Sequence, residues 1–276
     1  MRRVAAAVAF AAISAAAWPA SAGAAKCWID NGAVVVPALA GNIAGEFILD
    51  LSAPHSQLHD TSAQSHGLGD AIELQAPVSL AGEHIPAKLA ILDLDDRGWG
   101  FATGIDGVIG ADLLSGYVVD LSSSPCRLTL SRRAAPASHP VATLPLTVVG
   151  GVPTIAASIS DGRKSRRGHF AIDTGAAGIR LSADAARFSR LSARVDPMSR
   201  SQPPARLATL SFGGQTYRDQ PAGLQIGAPE GVLGGIGDEI WSRYELRIDL
   251  RRGRLLLFAP AAAGVSAPRS ARSGGS

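Results

Sequence analysis

A chain of 276 residues with 46% hydrophobic content can bury the core of one large domain or two small ones, which excludes disorder of the whole chain. Charged residues make up 18%, and Lys+Arg 26 against Asp+Glu 23 leaves a formal charge of +3, so no nucleic-acid partner is expected. The 31 Gly and 17 Pro, set against 5% aromatics, predict many turns between short strands rather than long helices.

Arg2 and Arg3 precede an apolar, Ala-rich stretch from Val4 to Trp18, and Pro19-Ala20-Ser21-Ala22 supplies a small-x-small cleavage pattern. Residues 1–22 read as a secretory signal peptide, because the stretch is short for a membrane span needing about 20 residues. The mature chain, starting near Gly23 or Ala25, is expected in the periplasm or outside the cell, with no stable membrane insertion. Export puts Cys27 and Cys126 in an oxidising compartment, where a single disulfide is the simplest reading and two separate thiols the alternative. Neither their spacing nor the nearby histidines fit a cysteine-based metal site.

Residues 23–131 carry one set of signals. Val34 to Leu39 and Glu46 to Leu49 are short apolar runs around a Gly-containing turn, as in a hairpin, and they lead into Asp50-Leu51-Ser52-Ala53. His55, His59 and His66 follow; the first two have the i, i+4 spacing of a zinc pair on a helix. Pro54 and the lack of an acidic ligand on the same face favour a solvated short helix instead. Ile72 to Leu80 and Ile85 to Leu92 form a second expected hairpin, and Gly107-Val108-Ile109-Gly110, Tyr117, Asp120 and an apolar strand Arg127 to Leu130 close the set.

Residues 132–142, rich in Pro, Ala and polar side chains, read as a linker, and residues 143–259 repeat the series. Gly168-His169-Phe170-Ala171-Ile172 leads into Asp173-Thr174-Gly175-Ala176, a short helix is expected over Ser182 to Leu191 with Ser182 as N-cap, and Gly231-Val232-Leu233-Gly234, Tyr244, Asp249 and Arg254 to Phe258 follow. The separation from Asp50 to Gly107 is 57 residues and from Asp173 to Gly231 is 58. Asp112, Asp120, Asp238 and Asp249 flank strands or short helices and are expected to cap them. Gly104 to Gly107 and Gly234 to Gly237 read as turns, and His169 as a strand-face residue. Residues 260–276 have the composition of a disordered tail. No Gly-x-Ser-x-Gly elbow marks a serine hydrolase.

A strand ending in Asp-Thr-Gly delivers a carboxylate onto a tight loop, and two such loops related by a pseudo-twofold axis bring two carboxylates together. Like charges that close retain a proton between them, so one can activate water while the other polarises a carbonyl. On the residues Phe170 to Ala176 and the Gly-apolar-apolar-Gly runs, the sequence resembles the aspartic peptidases of the pepsin and retropepsin clan, particularly bacterial secreted retropepsin-like proteins, over most of residues 34–258. The resemblance implies an all-β, bilobal fold with a cleft between lobes and a flap hairpin over it. It also implies catalytic Asp50 and Asp173, an extended peptide or protein substrate, a monomer, and no cofactor or metal.

The first loop departs from the family's pattern. Leu51 stands where the family has Thr, whose hydroxyls lock the two loops together, and Ser52 stands where the family has Gly, so it is expected to need a backbone conformation that Gly accepts more readily. Ala53 and Ala176 stand where many members carry a hydroxyl that stabilises the ionised pair, so fewer donors and higher carboxylate pKa values are expected. Two readings follow: an exported aspartic endopeptidase, or a noncatalytic relative that binds peptides in the same cleft.

Overall fold

In the computed structural model, which describes residues 23–136, 139–188, 205–225 and 227–260, β1 (Gly23–Lys26) and β2 (Trp28–Asp30) flank Cys27. The expected signal peptide, residues 189–191 of the expected helix and residues 261–276 of the expected tail lie outside the described residues. The chain turns back through β3 (Ala33–Ala40) and β4 (Ile43–Leu49), the first expected hairpin. Period-2 alternation sends Val34, Val36, Ala38 and Ala40 into the main core, while Ala33 and Val35 pack with Ile48, Leu94, Ile105 and Val108 in a second cluster.

After β5 (Gln57–His59) and α1 (Asp60–Ser65), strands β6 (Glu73–Leu80) and β7 (Glu83–Leu92) form the second expected hairpin. Its turn at Ala81-Gly82 packs against Gly23, so the hairpin points towards the N-terminal strand and does not cover Asp50 as a flap. A segment containing α2 (Asp95–Gly98) then leads to β8 (Gly107–Ile109) and α3 (Ala111–Leu114). β9 (Val118–Ser123) and β10 (Cys126–Ser131) end the first half. The parallel pair β4 and β8 is buried on both faces, which is why Phe47-Ile48-Leu49 and Val108-Ile109 are unbroken apolar runs.

The second half holds β11 (Ala142–Pro145), β12 (Thr147–Val149), β13 (Val152–Ser160), β14 (Ser165–Ile172) and β15 (Ile179–Leu181). α4 (Ala183–Phe188), β16 (Ala205–Phe212), β17 (Gln215–Leu224), β18 (Val232–Ile236) and α5 (Asp238–Trp241) follow. β19 (Glu245–Asp249) and β20 (Arg254–Phe258) complete it. Ser182 Oγ accepts from Ala185 N, so the expected N-cap is in place.

The two seven-stranded sheets have one order, β2-β3-β4-β8-β5-β7-β6 and β12-β13-β14-β18-β15-β17-β16, strand for strand. A six-stranded sheet, β1-β10-β9-β19-β20-β11, joins them through β9 and β19 at its centre. The chain is therefore an all-β, bilobal molecule with an internal pseudo-twofold repeat. Contacts across the axis repeat too. A Cβ at Gly32 would lie 2.2 Å from Ala177 Cβ, and one at Gly151 would lie 3.1 Å from Pro54 Cβ, with each pair at the same place in its half. Cys27 and Cys126 form a disulfide that fastens the first strands to β10.

The register corrects one expectation. Asp50 N donates to Ile109 O and Asp173 N to Ile236 O, and Gly110 and Gly237 each precede a short helix with nearly identical backbone angles. Gly234 to Gly237 is therefore the counterpart of Gly107 to Gly110, and Gly231 to Gly234 is not. The matched spacings of 57 and 58 residues were coincidental, because the counterpart of Gly107 is Gly234, which stands 61 residues after Asp173. Gly234 to Ile236 form a strand rather than a turn.

Candidate active site

Each candidate aspartate stands where a central parallel strand ends. β4 delivers Asp50 and β14 delivers Asp173, and the loops after them hold the following helix in the same way. Ala53 O accepts from Ala111 N, and Ala176 O accepts from Asp238 N. Both carboxylates are enclosed, with side-chain exposures of 1% and 0%. A Cβ at Gly175 would lie 2.7 Å from Asp50 Cγ, so the first carboxylate rests against the second loop.

The hydrogen bonds follow one plan in both lobes. Asp50 Oδ1 accepts from Ser52 N at 2.8 Å and from Ser52 Oγ at 2.6 Å, and Asp173 Oδ1 accepts from Gly175 N at 3.1 Å. The second oxygen of each goes to an arginine. Arg97 Nη2 lies 2.6 Å from Asp50 Oδ2, while Arg180 Nε and Nη2 both lie 2.7 Å from Asp173 Oδ2. Arg180 Nη2 also reaches Ser52 Oγ at 3.5 Å, linking the lobes.

Thr174 performs alone the locking that the family divides between two hydroxyls. Its Oγ1 donates to Leu49 O at 2.6 Å and accepts from Leu51 N at 3.2 Å, while Val34 N donates to Thr174 O. Leu51 has no hydroxyl to return the contact and is fully buried in the core instead. Ser52 is not among the residues with left-handed backbone, so the expectation of a Gly-like conformation there is corrected. What requires glycine is the approach of Asp50 to Gly175, and that approach is not mirrored at Ser52.

The electrostatics separate the two acids. Burial alone would raise Asp50, but the charges of Arg97 and Arg180 and the hydrogen bonds from Ser52 and Arg97 outweigh it and hold Asp50 below the ordinary carboxylate value. Asp173 is pushed up to about 6, first by burial and then by the negative charge of Asp50, with both arginines opposing the rise. The expected shortage of donors beside Ala53 and Ala176 is thus made good by arginines from elsewhere in the chain.

Among solved structures, the crystal structure of the aspartic proteinase from Irpex lacteus matches with a TM-score of 0.52 and 16% identity, over 87% of this chain and 98% of that one. The fold is that of a pepsin-like aspartic proteinase. No family model matches the sequence, and no curated protein does.

Within this fold the other expected residues fall as follows. His55 and His66 do not converge with His59, whose Nδ1 lies 2.8 Å from Asp60 and whose Nε2 lies 3.2 Å from Asp95. His59, Asp93 and Asp95 bring three possible ligand atoms within 4.8 Å of one another, with both aspartates exposed. His169 lies on β14 beside Thr154 Oγ1. Asp249 caps the 3-10 turn Leu250–Arg252, and Asp112 binds Ser56 N and Oγ. Asp120 pairs with Arg247 across the central sheet instead of capping, and Asp238 is buried with Oδ1 unpartnered among the described residues and is pushed up to about 6 by burial.

Sequence reasoning missed Arg97 and Arg180. Arg180 left a signal, since it is the charged centre of the otherwise apolar strand Ile179-Arg180-Leu181, where a side chain must face either solvent or a site. Arg97 left none, because Asp93 to Arg97 reads as a solvated charge run.

Proposed function

We propose that this chain is an aspartic-type endopeptidase, acting as an exported monomer on extended peptides held in the cleft between its lobes. The observation that supports this best is the pair of enclosed carboxylates from equivalent loops whose proton affinities are driven in opposite directions. Between the lowered pKa of Asp50 and about pH 6, Asp173 keeps its proton and Asp50 is bare. Asp50 then takes a proton from a water molecule as that water attacks the scissile carbonyl, and Asp173 gives its proton to the carbonyl oxygen. Collapse of the tetrahedral intermediate expels the amine, which takes the proton held by Asp50, while the proton on the gem-diol returns to Asp173. Atoms and charge balance without a cofactor. The disulfide, together with the lack of a helix among the described residues long and apolar enough to cross a membrane, is compatible with export.

One observation favours a second reading. Neither carboxylate is open to solvent, and both lie under guanidinium groups that are themselves 31% and 26% exposed. In that reading the cleft binds peptides and does not cut them. A peptide-library digest by the mature protein across pH, read by mass spectrometry beside Asp50→Asn and Asp173→Asn, decides between them. The peptidase reading expects new termini below about pH 6 that vanish in both variants. Absence of cleavage at every pH, with peptides still bound, selects the second reading.

A further inference from the structure

The near balance of charge over the whole chain conceals a division between the lobes. Residues 23–131 hold 13 acidic and 4 basic side chains, whereas residues 143–259 hold 10 acidic and 16 basic. In the second lobe part of the excess converges on one sheet face. Register aligns Arg167, Ser158, Ser211 and Thr216 in one row across β14, β13, β16 and β17, and Ser165, Ser160, Thr209 and Arg218 in the next. In the row between them Ile159, Leu210 and Tyr217 are buried and Arg166 is half-buried, so the eight side chains of the flanking rows face outwards. Six are hydroxyls and two are arginines. The β13–β14 turn adds exposed Arg163 and Lys164, and Asp161 Oδ1 in that turn accepts from their backbone amides.

The pseudo-twofold repeat supplies an internal control. The counterparts of Arg167, Ser158, Ser211 and Thr216 in the first lobe are Ala44, Leu39, Ser79 and His84, a face with no fixed charge. The counterpart of the Ser160 to Ser165 turn is the two-residue turn Gly41-Asn42, so the second lobe has a hairpin longer by four residues, and those residues bring Arg163 and Lys164. The scaffold therefore needs neither the longer hairpin nor its charges. Among the described residues, Arg163, Lys164, Arg167 and Arg218 have no ion-pair partner, whereas their neighbours Arg166 and Arg206 are paired with Asp184 and Asp219.

We infer that this face docks on the phosphate headgroups of an anionic lipid membrane. Its two rows carry guanidinium and hydroxyl groups and no carboxylate, with no aromatic side chain on which bases or sugar rings could stack and no apolar one to insert. A planar anionic surface also acts on the separation of charge between the lobes, attracting the basic lobe and turning the acidic one away, whereas a nearly neutral molecule gains little from a small soluble anion. Docking is then electrostatic, reversible and sensitive to salt. It does not depend on whether the cleft is catalytic.

The test is co-sedimentation of the mature protein with phosphatidylcholine vesicles, pure or containing about one third phosphatidylglycerol. Binding is expected to the anionic vesicles alone and to disappear in about 1 M salt, where the Debye length is ~3 Å. Replacing Arg163, Lys164, Arg167 and Arg218 by Ser should weaken it by at least about 100-fold. Arg167→Ser with Arg218→Ser should weaken it far more than the charge-matched pair Arg127→Ser with Arg133→Ser, both of which are exposed residues elsewhere. Failure of the wild type to bind anionic vesicles overturns the inference, as does equal binding to neutral ones or full binding by the fourfold variant. Displacement by millimolar inorganic phosphate at low salt assigns the site to a free anion and also overturns it.

Discussion

Arg97 and Arg180 hold the same oxygen of their respective aspartates, Oδ2, although they come from unrelated places in the two halves. Arg180 stands in β15 at the register position that Gln57 occupies in β5, whereas Arg97 comes from the segment after β7. The pseudo-twofold symmetry of the site is thus restored by side chains that the repeat does not relate.

That arrangement predicts unequal costs for removing the two cations. Arg180 gives two nitrogens to Asp173 and a third contact to Ser52, while Arg97 gives one nitrogen to Asp50 and is the more exposed. Arg180→Gln should therefore destabilise the fold by about 2–4 kcal/mol and Arg97→Gln by less, because loss of a partner leaves a buried charge uncompensated. Urea unfolding checks this. Adding Asp173→Asn to Arg180→Gln should recover part of the loss, and strictly additive costs would mean that the pair is not coupled.

Gly175→Ala probes how closely the loops meet. Its Cβ would lie 2.7 Å from Asp50 Cγ, within a region where both loops are fixed by Thr174, so neither can retreat cheaply. A cost of about 1–3 kcal/mol is expected, together with weaker peptide cleavage or binding as Asp50 is displaced. Ser52→Ala at the matching position adds no atom near Asp173 and should mainly raise the affinity of Asp50 for its proton, through loss of the Ser52 Oγ bond. Thermal unfolding and a pH titration of the two variants separate steric from electrostatic effects.

Much of the architecture was legible in the sequence, because hairpins such as Val34 to Leu49 and strands such as Arg254 to Phe258 are short apolar runs bounded by turn residues. Asp173-Thr174-Gly175 marked its loop equally well. The true partner of Gly107 to Gly110 was hidden because Gly234-Gly235-Ile236-Gly237 carries one apolar side chain where the pattern asks for two, while a better imitation stands three residues earlier. Arg97 was hidden for another reason, since its partner is 47 residues away and only tertiary folding joins them. The division of charge between the lobes was open to counting, but a balance taken over the whole chain averages it away.

Stability should fall as pH rises from about 4 to about 6. Asp173 and Asp238 are both pushed up to about 6 from an ordinary 3.8, so between these values the folded chain holds protons that the unfolded chain releases, and folding is progressively penalised. Asp50 works in the other sense. Its lowered value contributes stability above the ordinary carboxylate range that is lost as pH falls through it. The melting temperature should therefore peak near pH 4. Asp238 is 5% exposed and outside the pair Asp50 and Asp173, so Asp238→Asn should raise stability at pH 7 by about 1–3 kcal/mol and flatten the fall. A melting temperature that climbs steadily from pH 4 to pH 7 in the wild type would contradict this.

Thr174 alone supplies the hydroxyl lock between the two loops, and its substitution should show it. Thr174→Val keeps the shape and the burial but leaves Leu49 O without its donor and Leu51 N without its acceptor, both within a fully enclosed loop. At about 1–3 kcal/mol for each of the two stranded backbone groups, the expected loss is about 2–6 kcal/mol. Thr174→Ser retains the hydroxyl and gives up one methyl group, for about 1 kcal/mol. The matching change in the first loop, Leu51→Val, breaks no hydrogen bond and should cost only its missing methylene, about 0.5–1.5 kcal/mol. Unfolding free energies of the three variants therefore rank the loops. A Thr174→Val protein no less stable than Thr174→Ser would mean that the lobes are held by packing around Leu51 and by the Arg180 bridge, with the hydroxyl adding nothing to that hold.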